Sequence, residues 1–131
     1  MSNTRPTPDV PDPRAHAIGT GDDARFRGWE CQSCGHALAL VGPWCPKCRG
    51  PIVEKAYGPG GVVWSATVFR VPLPGKTPPW NLAWVDVDAG PRVLAHVAGE
   101  TERLAVGQRV RVIGETESGD VLVAAESGEN A

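Results

Sequence analysis

The chain has 131 residues, room for one ordinary domain or two very small ones. Charged residues make up 21% and hydrophobic residues 41%, and 16 glycines with 13 prolines place part of the chain in turns and tails. A net charge of −2 and a pI near 5.9 exclude a generally basic, histone-like nucleic-acid binder. That average hides a segregation: residues 31–114 carry nine basic and five acidic side chains, whereas residues 115–131 carry five acidic and no basic ones.

No apolar run approaches the roughly 18 residues needed to span a bilayer. Met1 to Val10 is polar and proline-containing and lacks the apolar stretch of a secretory signal, so a reducing cytoplasm is the expected compartment. Residues 1–20, with Pro6, Pro8, Pro11 and Pro13, cannot bury enough apolar surface to offset their ordering entropy and read as a disordered tail. Thr20 and Asp23 form a potential capping box for a short helix ending near Gly28, with Phe26 and Trp29 on its buried side; a loop pinned by the same two aromatics fits as well. This lead-in and the segment to residue 57 make the first module, 21–57.

That module is too small to hold itself together by a core alone, and four cysteines supply a staple. Cys31 and Cys34, then Cys45 and Cys48, follow the pattern C-x2-C-x10-C-x2-C. Each pair is a tight turn with two sulfurs aimed at one centre, and Gly35 and Arg49-Gly50 permit the chain reversal that follows. Four thiolates in a tetrahedron describe one structural Zn2+ in a zinc ribbon, with no open position for catalysis. Two disulfides, unrelated free thiols and a four-thiolate iron site are the alternatives. His36 could replace a ligand, but four cysteines leave it no vacancy.

Residues 58–124 read as a second module. Strands are predicted at Val62–Arg70, Leu82–Val87, Val93–Val97, Val106–Ile113 and Val121–Ala124, separated by Gly-rich turns and a loop with four prolines. In the first, strict alternation sets Val62, Trp64, Ala66 and Val68 against Val63, Ser65, Thr67 and Phe69. Five short strands with small turns and no credible helix suggest a small closed or nearly closed barrel. Residues 125–131 read as an acidic disordered tail.

Little catalytic chemistry remains. The thiolates are committed to metal, and His16, His36 and His96 have no recognisable Ser or Asp partner motif. Asp86 and Asp88 share a strand face, where a solvated strand end explains them better than acid–base work. Trp64 and Trp84 are expected in the core. Trp80 follows Pro78-Pro79 on a rigid apolar loop and is either a partner anchor or a lid over the barrel end.

The order of these modules resembles domain-of-unknown-function family 35, whose members join an N-terminal rubredoxin-like zinc ribbon to a C-terminal OB fold. The residues that carry the resemblance are Cys31-x2-Cys34-Gly35, Trp44-Cys45-Pro46-Lys47-Cys48, Gly58 to Val68, Pro78 to Ala83, Val85 to Leu94, and Leu104 to Val110. It covers roughly residues 29–124, and the N-terminal helical segment common in the family is reduced here to residues 20–30. The fold it implies is mainly β: a ribbon followed by a five-stranded OB barrel.

The function it implies is a non-catalytic accessory subunit, hetero-oligomeric with a thiolase-fold acyl-CoA enzyme: an acetyltransferase, a synthase, or an aldolase or thiolase of steroid side-chain breakdown. Pro78, Pro79 and Trp80 would then contact the partner, and Arg70, Lys76 and Arg92 would meet the coenzyme A phosphates. A single-stranded nucleic-acid-binding module is the alternative, since ribbons and OB folds both serve there.

Overall fold

The computed structural model describes residues 14–72, 74, 77–99 and 102–126. Its strands, in chain order, are β1 (His16–Ile18), β2 (Arg25–Cys31), β3 (Ala37–Leu38), β4 (Ile52–Tyr57), β5 (Gly60–Phe69), β6 (Trp80–Val87), β7 (Arg92–Val97), β8 (Arg109–Glu115) and β9 (Val121–Ala125), with one 3-10 turn at Gly21–Asp23.

The first four strands form one antiparallel sheet around β2. Strand β4 runs along one edge of it, Phe26 opposite Tyr57 and Cys31 opposite Ile52. Strands β1 and β3 share the other edge, Ala17 opposite Phe26 and Trp29 opposite Leu38. Two expectations are corrected here. The segment read as a tail to residue 20 contains β1, and the lead-in to the cysteines is a strand rather than a helix or a loop. Thr20 makes no side-chain cap, and the turn after it lasts three residues. The reason is tertiary: Phe26 is buried against the barrel, and a strand lets Arg25 and Arg27 stay at the surface on either side of it.

Strands β5 to β9 close into a barrel in the order β5-β6-β7-β9-β8. All neighbours are antiparallel except β7 and β9, which run parallel with His96 opposite Leu122. This is the five-stranded OB barrel. Its inward residues follow the two-residue period: Ala83, Val85 and Val87; Val93, Ala95 and Val97; Val110 and Val112; Val121 and Val123. The strand expected to begin at Val106 begins at Arg109, and Val106 lies exposed in the turn before it.

The two modules share one buried cluster, because Ala24, Phe26 and Tyr57 pack with the barrel valines. Tyr57 is wedged between them: a Cβ on Gly28 or on Gly90 would lie 2.8 Å from its ring. Its hydroxyl donates to the carbonyl of Trp29 at 3.2 Å. Beside it, Val112 donates its N–H to the carbonyl of Pro59 at 2.9 Å. The N-terminal segment adds a clasp: Glu115 accepts from His16 Nδ1 at 2.8 Å and from the Ala17 N–H at 3.0 Å.

Candidate metal centre and barrel face

Strand β2 ends on Cys31, and the chain turns so that the Cys31 carbonyl accepts the Gly35 N–H at 3.0 Å. The second turn repeats this, with the Cys45 carbonyl accepting the Arg49 N–H at 2.8 Å. Gly35 (φ 78°) and Arg49 (φ 67°) carry the left-handed reversal, so in the second turn Arg49 itself adopts it.

The four sulfurs converge, all within 4.8 Å of one another, with Cys31 and Cys48 3.4 Å apart and Cys34 and Cys45 3.7 Å apart. A tetrahedron of metal–sulfur bonds of about 2.3 Å has edges of about 3.8 Å, so the spacing suits a metal ion. All four cysteines are free of disulfides.

Backbone N–H groups already point at the sulfurs. Ser33 and Cys34 donate to Cys31 Sγ at 3.3 and 3.4 Å, Lys47 to Cys45 Sγ at 3.3 Å and Gly50 to Cys48 Sγ at 3.4 Å. The Cys34 and Ser33 amides lower the Cys31 thiol to about 6. Cys48 receives the Gly50 amide, yet the neighbouring sulfurs of Cys31 and Cys34 outweigh it and push that thiol up to about 12. Sulfurs this close cannot all ionise together without a cation to compensate them. The donor set therefore fits a thiolate-binding metal, and Cys31, Cys34, Cys45 and Cys48 would hold it. His36 lies outside the cluster, its carbonyl accepting the Cys31 N–H at 2.9 Å.

The barrel face departs from the sequence reading. A β-bulge between Val63 and Ser65 shifts the register of β5 against β6. Val63 points inward opposite Val85, but after the bulge Ser65, Thr67 and Phe69 lie opposite Trp84, Leu82 and Trp80 on the outer face. Trp64 is the bulged residue and is half exposed. Trp84 is outward as well, because its neighbours Ala83 and Val85 fill the barrel. Both tryptophans expected in the core are thus on the surface.

Trp80 is the first residue of β6, half-buried, stacked on Phe69 with ring centroids 4.4 Å apart and on His96 at 5.6 Å. It is part of a sheet face and not the tip of a loop. Pro78 and Pro79 precede it at that end of the strand, Pro79 exposed. A groove of about 520 Å³ runs along β6 and β7, lined by Trp80, Trp84, Leu94 and His96, with Leu40 of the ribbon on its other wall.

The charged residues are mostly paired. Arg92 lies over the ring of Trp64 and donates to Asp86, which holds the Asp86 carboxyl below the usual range. Arg109 makes two bonds to Asp88, at 2.9 and 2.7 Å, with the same effect on its carboxyl. Arg111 reaches Asp22 at 3.2 Å, and His96 Nε2 lies 3.4 Å from Asp120. Arg92, Arg109 and Arg111 are thus each held by a carboxylate. Arg70 and Arg92 sit at opposite ends of the β5–β7 sheet and do not converge; Lys76 lies outside the described residues. Arg70 instead shares a polar cleft of about 390 Å³ with Arg103, Glu102 and Thr67.

Residues 54–114 match the family described as the ChsH2 C-terminal OB-fold domain. A search of curated protein sequences finds no match. Among solved structures, the chain is similar to the Ltp2-ChsH2(DUF35) aldolase, with 23% identity over 77% of this chain and 83% of that one and a TM-score of 0.62. It is also similar to a DUF35-family protein of unknown function from Sulfolobus solfataricus, with 17% identity over 78% of this chain and 76% of that one and a TM-score of 0.58. A four-cysteine cluster leading into an OB barrel that matches the ChsH2 C-terminal domain is the arrangement that the resemblance to domain-of-unknown-function family 35 implied, and the chain shares its fold with these two DUF35 structures.

Proposed function

We propose that the chain is a non-catalytic accessory subunit that binds and supports a thiolase-fold acyl-CoA enzyme in the cytoplasm. The observation that carries this reading is the ordered pair of modules, shared with a chain found together with Ltp2 in an aldolase. Two sets of titratable groups point the same way. Asp86 and Asp88 are held ionised by arginines, and the cysteines face one another rather than a cleft.

In this reading the cysteine cluster holds one structural Zn2+, which ties the two turns together and leaves no ligand position open. The nucleophile and base belong to the partner, whose reaction is an acyl transfer, a synthase condensation or a steroid side-chain cleavage. Trp80, with Pro78 and Pro79 before it, is part of the contact with that partner. Arg70 is the candidate for a coenzyme A phosphate, with Arg103 beside it in the polar cleft. Arg92 is the weaker candidate of the two, since Asp86 and Trp64 already occupy its guanidinium.

Co-expression with each thiolase-fold chain of the same genome tests the reading. A stable co-eluting complex, or a partner whose solubility or activity depends on this chain, is the expected result. A chain that stays alone and changes none of those enzymes overturns it.

A further inference from the structure

Three adjacent strands of the barrel each expose a large apolar side chain on the same face: Trp64 on β5 (51%), Trp84 on β6 (42%) and Leu94 on β7 (43%). Trp84 lies directly opposite Leu94 in the sheet. Exposed apolar side chains that lie side by side on neighbouring strands form a contiguous patch, and such patches mark interaction sites where scattered ones do not. The face has relief. Leu82, Trp84 and Leu94 line two hollows at once, the groove of about 520 Å³ toward the ribbon and a second of about 280 Å³ toward β5. They form a ridge with a concavity on either side.

The electrostatics of the face select its occupant. Arg92 is paired with Asp86, and both Arg14 and His96 lie against Asp120. Among the described residues, the face therefore offers no row of uncompensated cations to a phosphate polymer. A small ligand would fill one hollow and leave the ridge wet. A protein surface that is neutral and apolar, with protrusions on both sides of a central depression, would cover ridge and hollows together. It would place the Trp–Arg pair in the kind of position where interface energy concentrates.

We propose that the outer face of β5–β7, centred on the Trp84–Leu94 ridge, is the surface on which the partner subunit docks through a neutral apolar patch. This inference rests on the accessory-subunit reading and adds the location and chemistry of the contact.

The test uses the full chain and its complex with the thiolase-fold partner. Trp84→Glu and Leu94→Glu place a charge on the ridge, and Val106→Glu places one at an exposed turn residue that lines neither hollow. With circular dichroism and bound metal unchanged, Trp84→Glu and Leu94→Glu should weaken the complex at least about 30-fold, and Val106→Glu should bind as wild type. Trp84→Ala, with no added charge, should weaken it in the same direction. If all variants bind alike, the surface lies elsewhere and this inference falls while the accessory reading stands. If the wild-type chain captures no thiolase-fold chain, both fall. Three further results would overturn the inference: tight binding of an oligothymidylate at low salt, tight binding of an acyl-CoA to the isolated chain, or a self-association, each abolished by Trp84→Ala.

Discussion

The guanidinium of Arg92 lies 3.9 Å from the ring centroid of Trp64 and is held there by its bond to Asp86 on the strand between them. The cation covers one face of an outward-turned indole and fixes its direction without burying it. Trp64→Ala should therefore change stability by no more than about 1 kcal/mol, as expected for a surface aromatic. Phe26→Ala removes a buried ring from the shared cluster and should cost about 3–5 kcal/mol. Urea unfolding of the two variants distinguishes them, and a large loss for Trp64→Ala would mean the indole contributes to the core.

The cysteine cluster predicts one metal ion per chain, with an absorbance spectrum that separates colourless zinc from coloured iron. Cys45→Ser should abolish stoichiometric binding and unfold the ribbon. Because Phe26 and Tyr57 sit in the same buried cluster as the barrel valines, the midpoint of barrel melting should fall with it. Far-UV circular dichroism of the variant should keep a strand signal at low temperature and lose it at a lower temperature than wild type. An unchanged barrel midpoint would show that the modules fold independently.

Acid should destabilise the barrel through Asp86 and Asp88. Arginine partners depress both carboxyls in the folded state, so the unfolded chain, with carboxyls near 3.9, binds more protons as pH falls. The stabilisation is complete above the unfolded value and is lost as pH drops through the lower folded values. Melting temperature followed from pH 6 to pH 2 should fall in that window, and Asp88→Asn should flatten the decline. An identical acid limb in the variant would remove the Arg109 pair as its cause.

Gly28→Ala should destabilise by about 1–3 kcal/mol, because its methyl would meet both the Leu38 carbonyl and the Tyr57 ring at 2.8 Å. Gly42→Ala, where the nearest atom would be 3.8 Å away, is the control and should be near neutral. Tyr57→Phe keeps the wedge but drops its bond to Trp29, and should cost about 1 kcal/mol. Thermal melts of the three rank these effects, and a neutral Gly28→Ala would show that the Tyr57 ring can move aside.

The sequence alone determined what local chemistry dictates. Two C-x2-C turns specify a four-sulfur cluster because the spacing brings each pair to one centre. Alternation around Val85, Val93 and Val110 specifies barrel strands because side chains in a strand point to opposite faces in turn. The tertiary structure decided the rest. The lead-in at residues 25–31 became a strand only because β1, β3 and β4 were there to pair with it. Trp64 and Trp84 went outward because their neighbours Val63, Ala83 and Val85 already fill the barrel interior, and a bulge after Trp64 reset the alternation of β5 so that Ser65, Thr67 and Phe69 face outward as well. A bulge and a full core are properties of strands once they are paired and closed, and no spacing along the chain encodes them. The −2 of the whole chain was likewise a poor guide to its surface, because Arg92, Arg109 and Arg111 are neutralised by carboxylates that only the fold brings beside them.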